Sequence, residues 1–327
     1  MSYIPPFDLT NRMFELCAEI MENLGKLSHV NELEKLPRLR RVSRIKSIHS
    51  SLAIEQNTLT LREVTDVIEG RRVLGAANEV LAVKNAFAAY KLLDDVDPFD
   101  VKDLLGVHRV MMQELVEECG LFRSTNVGVF DERGRVIHTA PPHARVEALV
   151  YDLFDWVKRT DVQMLIRSSV FHYEFEFIHP FRDGNGRMGR LWQTALLASW
   201  KPVFKYVPVE SVIRDRQEAY YQAIAQSTLD GKSNAFVLFM LDAIAKAIQD
   251  IVGDTTAHYN HLSVQINKLM AVMETYPLSA QMLMDKMGLK SRAGFRQNYL
   301  LPAIEAGLVG LTIPDKPTSK NQMYFKL

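Results

Sequence analysis

The chain has 327 residues, enough at roughly 100 to 200 residues per domain for about two domains with a sizeable core. With 47% hydrophobic and 24% charged residues it is neither disordered nor fibrous in composition, and 39 Lys plus Arg balance 39 Asp plus Glu, so no global field draws it to nucleic acid or to an anionic membrane. Cys17 and Cys119 are too few for a disulfide framework and read as reduced core thiols; with no signal-like N-terminus and no apolar run near the ~20 residues that cross a bilayer, a cytoplasmic chain without membrane partners is expected.

Met13, Leu16, Ile20 and Leu24 recur at helical spacing and predict a helix over 11 to 27. Residues 38 to 70 read as two further helices separated by Gln56, Asn57 and Thr58, with Thr60 able to cap the second. Helical periods follow at 78 to 93 and 100 to 118. At 126 to 142 two alternating arms flank "DERG", where Gly134 allows a positive φ; this is a hairpin signal. Helices resume from Arg145. In "VFHYEFEFI" (170 to 178) both a strand and a helix period fit, and the apolar lead-in "MLIRSSV" makes the segment too long for a typical strand, so a buried helix is expected. A helix from Ala235 to about Ile251 leads into "GDTTAHYNH", which has the composition of an interdomain joint. Residues 255 to 327 then read as three helices and two short strands, the order of a winged helix, with eight Lys or Arg against four Asp or Glu. Such a modestly basic module is compatible with DNA binding without establishing it.

The densest chemistry lies in "HPFRDGNGRMGR", residues 179 to 190. Pro180 disfavours the α conformation at His179 and so ends the aromatic helix there, leaving an imidazole beside a loop. "DGNG" (183 to 186) is a turn by composition, and a helix restarts behind it. Backbone N–H groups at a helix start, with roughly half a positive charge from the dipole, make an anion site. Arg187 and Arg190 stand three apart on that first turn, where cations cost the helix roughly 0.3 to 1 kcal/mol each, so an anionic partner is implied, and two guanidinium groups suit a polyphosphate. Asp183 would repel a bare phosphate; a hard Mg²⁺ between them removes the conflict. Base, cation-binding acid, anion nest and two arginines together describe phosphoryl or nucleotidyl transfer.

This stretch resembles the signature of Fic-domain proteins, in which a histidine and Pro-Phe precede an acid, Gly-Asn-Gly-Arg and a second arginine; the resemblance runs from roughly residue 10 to 250. It implies an all-α fold, a Fic-domain helical bundle with a small β-hairpin flap, followed here by a C-terminal winged-helix domain. The divisions expected are 1 to 110 (N-terminal helical region with an inhibitory motif), 111 to 254 (catalytic core) and 255 to 327. The implied reaction is transfer of AMP from ATP, with Mg²⁺, to a hydroxyl side chain of a target protein and of the chain itself. By the resemblance His179 is the general base, Asp183 the Mg²⁺ ligand, and Gly184, Asn185 and Gly186 the phosphate cradle. Arg187 and Arg190 grip the β- and γ-phosphates, and Phe181 is a buried anchor. Independently, an unperturbed histidine titrates near ~6.5, close to where a general base works.

The hairpin matches the family's flap, which places Val136, Ile137, His138 and Thr139 beside substrate and nucleotide. Tyr220 and Tyr221 match a tyrosine pair near the adenine, although Thr228 stands where relatives can carry asparagine. Ser51 and Glu55 share a helix face and resemble the family's inhibitory motif, whose glutamate pairs with the second arginine, here Arg190; Gln56 departs from the Gly or Asn that follows in that motif. A carboxylate and guanidinium held out of water form a strong pair, so inhibition in cis is expected. The same glutamate could instead orient water for removal of AMP. Other outcomes on this fold are transfer of phosphate, phosphocholine or UMP, disfavoured by the intact "GNGR", or a winged-helix DNA-binding regulator. Homodimerisation is common in the family.

Overall fold

The computed structural model describes residues 3–29, 37–130, 136–274, 276–305, 308–317 and 319–327, without the side chains of 27–29, 37–39, 129–130, 136–139 and 254–263. It comprises two compact units, Met1–Asp250 and Ile251–Leu327. The segments 1 to 110 and 111 to 250 fall within the first of these.

The first unit is built on two consecutive helices, α7 (Met164–Ile178) and α8 (Asn185–Trp200), packed along their length and joined by the 179–184 loop. The other α-helices of this unit are α1 (Asn11–His29), α2 (Pro37–Ile54), α3 (Leu61–Ile68), α4 (Ala77–Lys91), α5 (Val101–Met112), α6 (His143–Arg159), α9 (Val209–Asp215), α10 (Gln217–Asp230) and, as far as Asp250, α11 (Asn234–Val272). Phe171, Phe175, Phe181, Leu191 and Trp192 are fully buried around the central pair, each worth roughly 1.5 to 3 kcal/mol in removed apolar surface. Twelve of the fifteen α7 residues are buried, Ser168, Ser169, His172, Glu174 and Glu176 included. That explains why two periodicities fit its sequence: a helix enclosed on every side has no polar stripe to break the pattern.

Local rules account for several boundaries. Thr60 caps α3 in a reciprocal box, its hydroxyl accepting from Glu63 N at 3.3 Å while Glu63 Oε2 accepts from Thr60 N at 2.8 Å. Helix α5 stops at Met112, short of the predicted 118, because Glu114 turns to φ +61°. Helix α8 begins at Asn185, so only Asp183 and Gly184 of "DGNG" form the turn; Gly184 has φ +85°, and a Cβ there would lie 2.6 Å from Met112 Sδ. Cys17 is buried and Cys119 only partly so.

Strands β1 (Gly128–Phe130) and β2 (Val136–Thr139) form the antiparallel hairpin, pairing Gly128 with Thr139 and Val129 with His138 and carrying a bulge before Phe130. Gly134 and the rest of 131–135 lie outside the described residues. The backbone of β2 runs close to α10.

The units divide at Asp250/Ile251, beside the joint expected at "GDTTAHYNH", but the stretch is helix rather than loop, since α11 runs unbroken to Val272. Polar composition suggests a loop, but nothing in the segment is proline and the backbone bonds of a helix do not require apolar side chains. In the second unit, β3 (Leu278–Ser279), α12 (Ala280–Lys286), α13 (Arg292–Phe295), a π-helical turn (Arg296–Leu300), α14 (Leu301–Glu305), β4 (Val309–Leu311) and β5 (Met323–Lys326) enclose Leu278, Leu283, Phe295, Leu300 and Val309. The short β3, which periodicity does not reveal, completes a three-stranded sheet of order β3-β5-β4. Among the described residues no helix is long and apolar enough to cross a membrane.

Candidate active site

His179 caps α7 in the left-handed region, at φ +50° and ψ +62°, its N–H donating to Phe175 O at 2.9 Å. A histidine rarely adopts this conformation unaided. It is held by Arg123, which is 2% exposed and donates from Nε to His179 O at 2.8 Å, from Nη1 to Thr125 O at 2.7 Å and from Nη2 to Pro141 O at 2.5 Å. Arg123 N also donates to Pro180 O at 2.9 Å. One buried cation thereby ties the loop after α7 to both flanks of the hairpin.

The loop is braced from within. Asn185 Oδ1 accepts from Phe181 N and its Nδ2 donates to Phe181 O, both at 2.8 Å, so its side chain closes the turn. His108 stacks on Phe181 with ring centroids 3.6 Å apart and planes 5° from parallel. Gly120 N donates to His108 Nδ1 at 2.8 Å, so Nδ1 is the acceptor and Nε2–H donates to Asp183 O at 3.0 Å. Burial pushes this imidazole down to about 4, which keeps it neutral in that tautomer.

At the start of α8 the first intrahelical bond runs from Met188 N to Gly184 O, leaving the N–H groups of Asn185, Gly186 and Arg187 ahead of the ladder. The Asp183 carboxylate, 54% exposed, lies 3.0 Å from Arg187 Nη2, and Arg187 Nε is buried without a hydrogen-bond partner. Arg190 is 2% exposed and turned toward α2. Its Nε donates to Ser51 Oγ at 3.1 Å, and its Nη2 to Ser51 O at 3.0 Å and to Glu55 Oε1 at 2.8 Å. A Cβ on Gly186 would overlap Glu55 Oε1, so a larger residue there would displace the carboxylate from the first turn of α8.

A cavity of about 240 Å³ opens between these elements, lined by His179, Gly186, Arg190, Glu55, Tyr220 and Tyr221, with Glu176, Tyr173 and Thr228 also on its wall. It falls below the ~300 to 1,000 Å³ usual for ligand sites, with Glu55 occupying part of its wall. His179 Nδ1 sits 3.3 Å from Glu176 O; a carbonyl only accepts, so Nδ1 carries a proton, and in the neutral ring the lone pair is on Nε2. Behind it runs an ordered chain: Tyr220 Oη donates to His172 Nε2 at 3.2 Å, His172 Nδ1 to Gln193 Oε1 at 2.7 Å, and Gln193 Nε2 to Ser169 Oγ at 3.2 Å. Burial pushes His172 down to about 3, consistent with a neutral ring. Glu176, 4.0 Å from His179 Nδ1, is pushed by burial up to about 8, so it is an acid rather than a carboxylate at neutral pH. Tyr221 packs edge-on against Tyr220, and Thr228 Oγ1, which donates to Ile224 O, accepts from Tyr173 at 3.3 Å.

Of the residues singled out in sequence, His179, Gly186, Arg190, Tyr220, Tyr221 and Glu55 meet at this cavity, and Ser51 reaches it through Arg190. Asp183, Gly184, Asn185 and Arg187 belong to the same loop and helix start. The backbone of Val136, Ile137, His138 and Thr139 forms β2; their side chains lie outside those described. Arg123, His108, Glu176, His172 and Tyr173 carry no local signal, since each acts through partners remote in sequence. Gln56, the departure from the inhibitory pattern, sits at φ +65°, the conformation glycine and asparagine favour, and Asn57 N closes the helix end on Leu52 O at 3.1 Å.

The class is defined by a helical bundle whose central pair, α7 and α8, is joined by a histidine loop that runs directly into the start of α8. The Fic/DOC family matches residues 98–197, and the C-terminal domain of Fic-like "filamentation induced by cAMP" proteins matches residues 264–326. The crystal structure of a Fic family protein from Desulfovibrio desulfuricans G20 is 46% identical, with TM-score 0.76, over 99% of this chain and 98% of that one. The chain belongs to the Fic family. Curated relatives include the protein adenylyltransferase Fic of Nematostella vectensis, 29% identical over 64% of this chain and 49% of its own length, and protein adenylyltransferase fic-1 of Caenorhabditis elegans, 27% identical over 75% and 48%. The chain spans about half the length of these curated relatives.

Proposed function

We propose that the chain is a protein adenylyltransferase that moves AMP from ATP to a hydroxyl side chain of a target protein and of itself, and that Glu55 restrains it. The observation carrying this is the shared cavity: a histidine with a lone pair on Nε2, the start of α8, and Arg190 already paired with a carboxylate. The target hydroxyl approaches from the His179 side and its oxygen attacks the α-phosphorus. Nε2 takes the hydroxyl proton, the bond to the β-phosphate oxygen breaks, and pyrophosphate leaves. General-base help of this kind contributes about 10² to 10⁴ in rate. The N–H groups of Asn185, Gly186 and Arg187 receive phosphate oxygens, and Arg187 exchanges Asp183 for a phosphate. The backbone of β2 is the edge against which the target segment is laid.

The residues present fit Mg²⁺. Asp183 offers one half-exposed hard oxygen donor beside the anion site, and an ion held by one carboxylate draws its remaining ligands from phosphate and water. Bound there, Mg²⁺ supplies charge neutralisation of the triphosphate.

In this reading the Glu55 carboxylate holds the guanidinium that would otherwise take the γ-phosphate, and movement of α2 releases it. The family name of the curated relatives supports the chemistry, and residues 255 to 327 form an accessory winged-helix module. Intact mass after incubation with ATP and Mg²⁺ tests the proposal. Glu55→Gly is expected to gain one AMP faster than the wild type, and His179→Ala to gain none while still binding ATP; turnover near wild type in His179→Ala would sink the assignment.

A further inference from the structure

A second cleft, of about 360 Å³, lies among α2, α3, α4 and the 3₁₀ turns Leu92–Asp94 and Pro202–Tyr206. It is larger than the cavity beside His179 and within the range of small-molecule sites. Arg40, Arg41, Arg44 and Lys91 line it against a single acid, Asp94. Arg41 is paired with Glu69 at 2.7 Å, but the other three charges are poorly compensated. Arg40 and Lys91 have no ion pair among the described residues and rest on aromatic rings, Arg40 5.7 Å from the centroid of Tyr206 and Lys91 4.4 Å from that of Phe87. Asp94 lies 2.6 Å from Lys205 Nζ but 3.9 Å from Arg44 Nη2. Arg44 Nε is buried with no hydrogen-bond partner, a donor that native structures seldom leave without an acceptor. The apolar part of the wall is Ile45, Ile68, Phe87 and Tyr206.

We propose that this cleft is a binding site for a small organic phosphate with a flat ring, of about mononucleotide size. Arg44 and Arg40 receive the phosphate as a guanidinium pair, Lys91 adds a third positive charge, and the ring takes the apolar wall in place of the guanidinium now lying on Tyr206. The site is separate from the His179 cavity and does not depend on the reaction assigned there. It shares a helix with it, however: at 3.6 residues per turn Arg40, Arg44 and Ser51 fall within about 40° of one face of α2, and Ser51 lies about 10 Å along the axis from Arg44.

Calorimetric titration of the full chain with phenyl phosphate tests this. A saturable site with Kd below ~1 mM is expected, weakened at least about tenfold in Arg40→Gln/Arg44→Gln and retained in Arg187→Gln, where the anion site at α8 is altered. Lys91→Met provides a second variant of the same cleft, should the double variant lose its cooperative melt. Inorganic phosphate, lacking the ring, is expected to bind at least about tenfold more weakly. Absence of saturation, or affinity lost with Arg187→Gln and kept in the cleft variants, would overturn the site; equal affinity for inorganic phosphate would overturn the ring-bearing ligand.

Discussion

Arg190 Nη2 meets Glu55 Oε1 at 2.8 Å while its Nε rests on Ser51 Oγ, so the last turn of α2 and the residue just beyond it hold a guanidinium whose side chain is only 1% exposed. Removing the carboxylate strands a buried cation. Glu55→Ala is therefore expected to lose about 2 kcal/mol without ligand, less than a fully buried pair because Glu55 is partly exposed. That corresponds to a fall of roughly 4 to 8 °C in Tm. ATP with Mg²⁺ should then raise Tm more in the variant than in the wild type, and equal shifts in differential scanning fluorimetry would show that Glu55 and nucleotide do not compete.

Arg123 holds the carbonyls of His179, Thr125 and Pro141 at once. In Arg123→Met these acceptors lose a charged donor, for an expected cost of about 3 kcal/mol in urea unfolding. Arg123→Lys should recover only part of this, since an ammonium cannot match the spread of a planar fork. Full recovery by lysine would argue that charge alone matters.

Gln56 adopts φ +65°, where a side chain costs about 1 to 2 kcal/mol. After allowance for glycine's greater freedom in the unfolded chain, Gln56→Gly should raise stability by up to about 1 kcal/mol, whereas Gln56→Val should lower it. Thermal melts of the two variants check the sign.

Glu176 has a folded-state value near 8 against an ordinary value of 4.5, with burial as the main cause. Between these values the folded chain keeps a proton that the unfolded chain releases, so stability falls as pH rises from 4.5 to 8 and the penalty is complete above 8. Glu176→Gln removes the titration. It should match the wild type near pH 4.5 and become progressively more stable than it toward pH 8, and parallel melting curves across that window would refute the buried acid.

The helices were legible wherever one face is polar, as in α1 with Met13, Leu16, Ile20 and Leu24 buried and polar residues between them. Thr60 was legible as a cap because its partner Glu63 is three residues away. Legibility failed where structure depends on remote partners or on backbone alone. Helix α11 passes through a stretch of joint-like composition, and β3 is two residues long, recognisable only by its pairing with β5.

By itself the sequence determined the local course of the 179–190 loop, because a proline after His179, a glycine turn and a helix start are constrained by local backbone rules. Resemblance, not spacing, linked Glu55 to Arg190 across 135 residues. Only the tertiary structure decided what supports the loop: Arg123 lies 56 residues from His179 in sequence, and His108 75 residues from Asp183. No period in a sequence reports a contact between distant side chains, whereas packing α5, α7 and α8 around Phe181 brings these groups within hydrogen-bond reach and fixes the tautomer of His108.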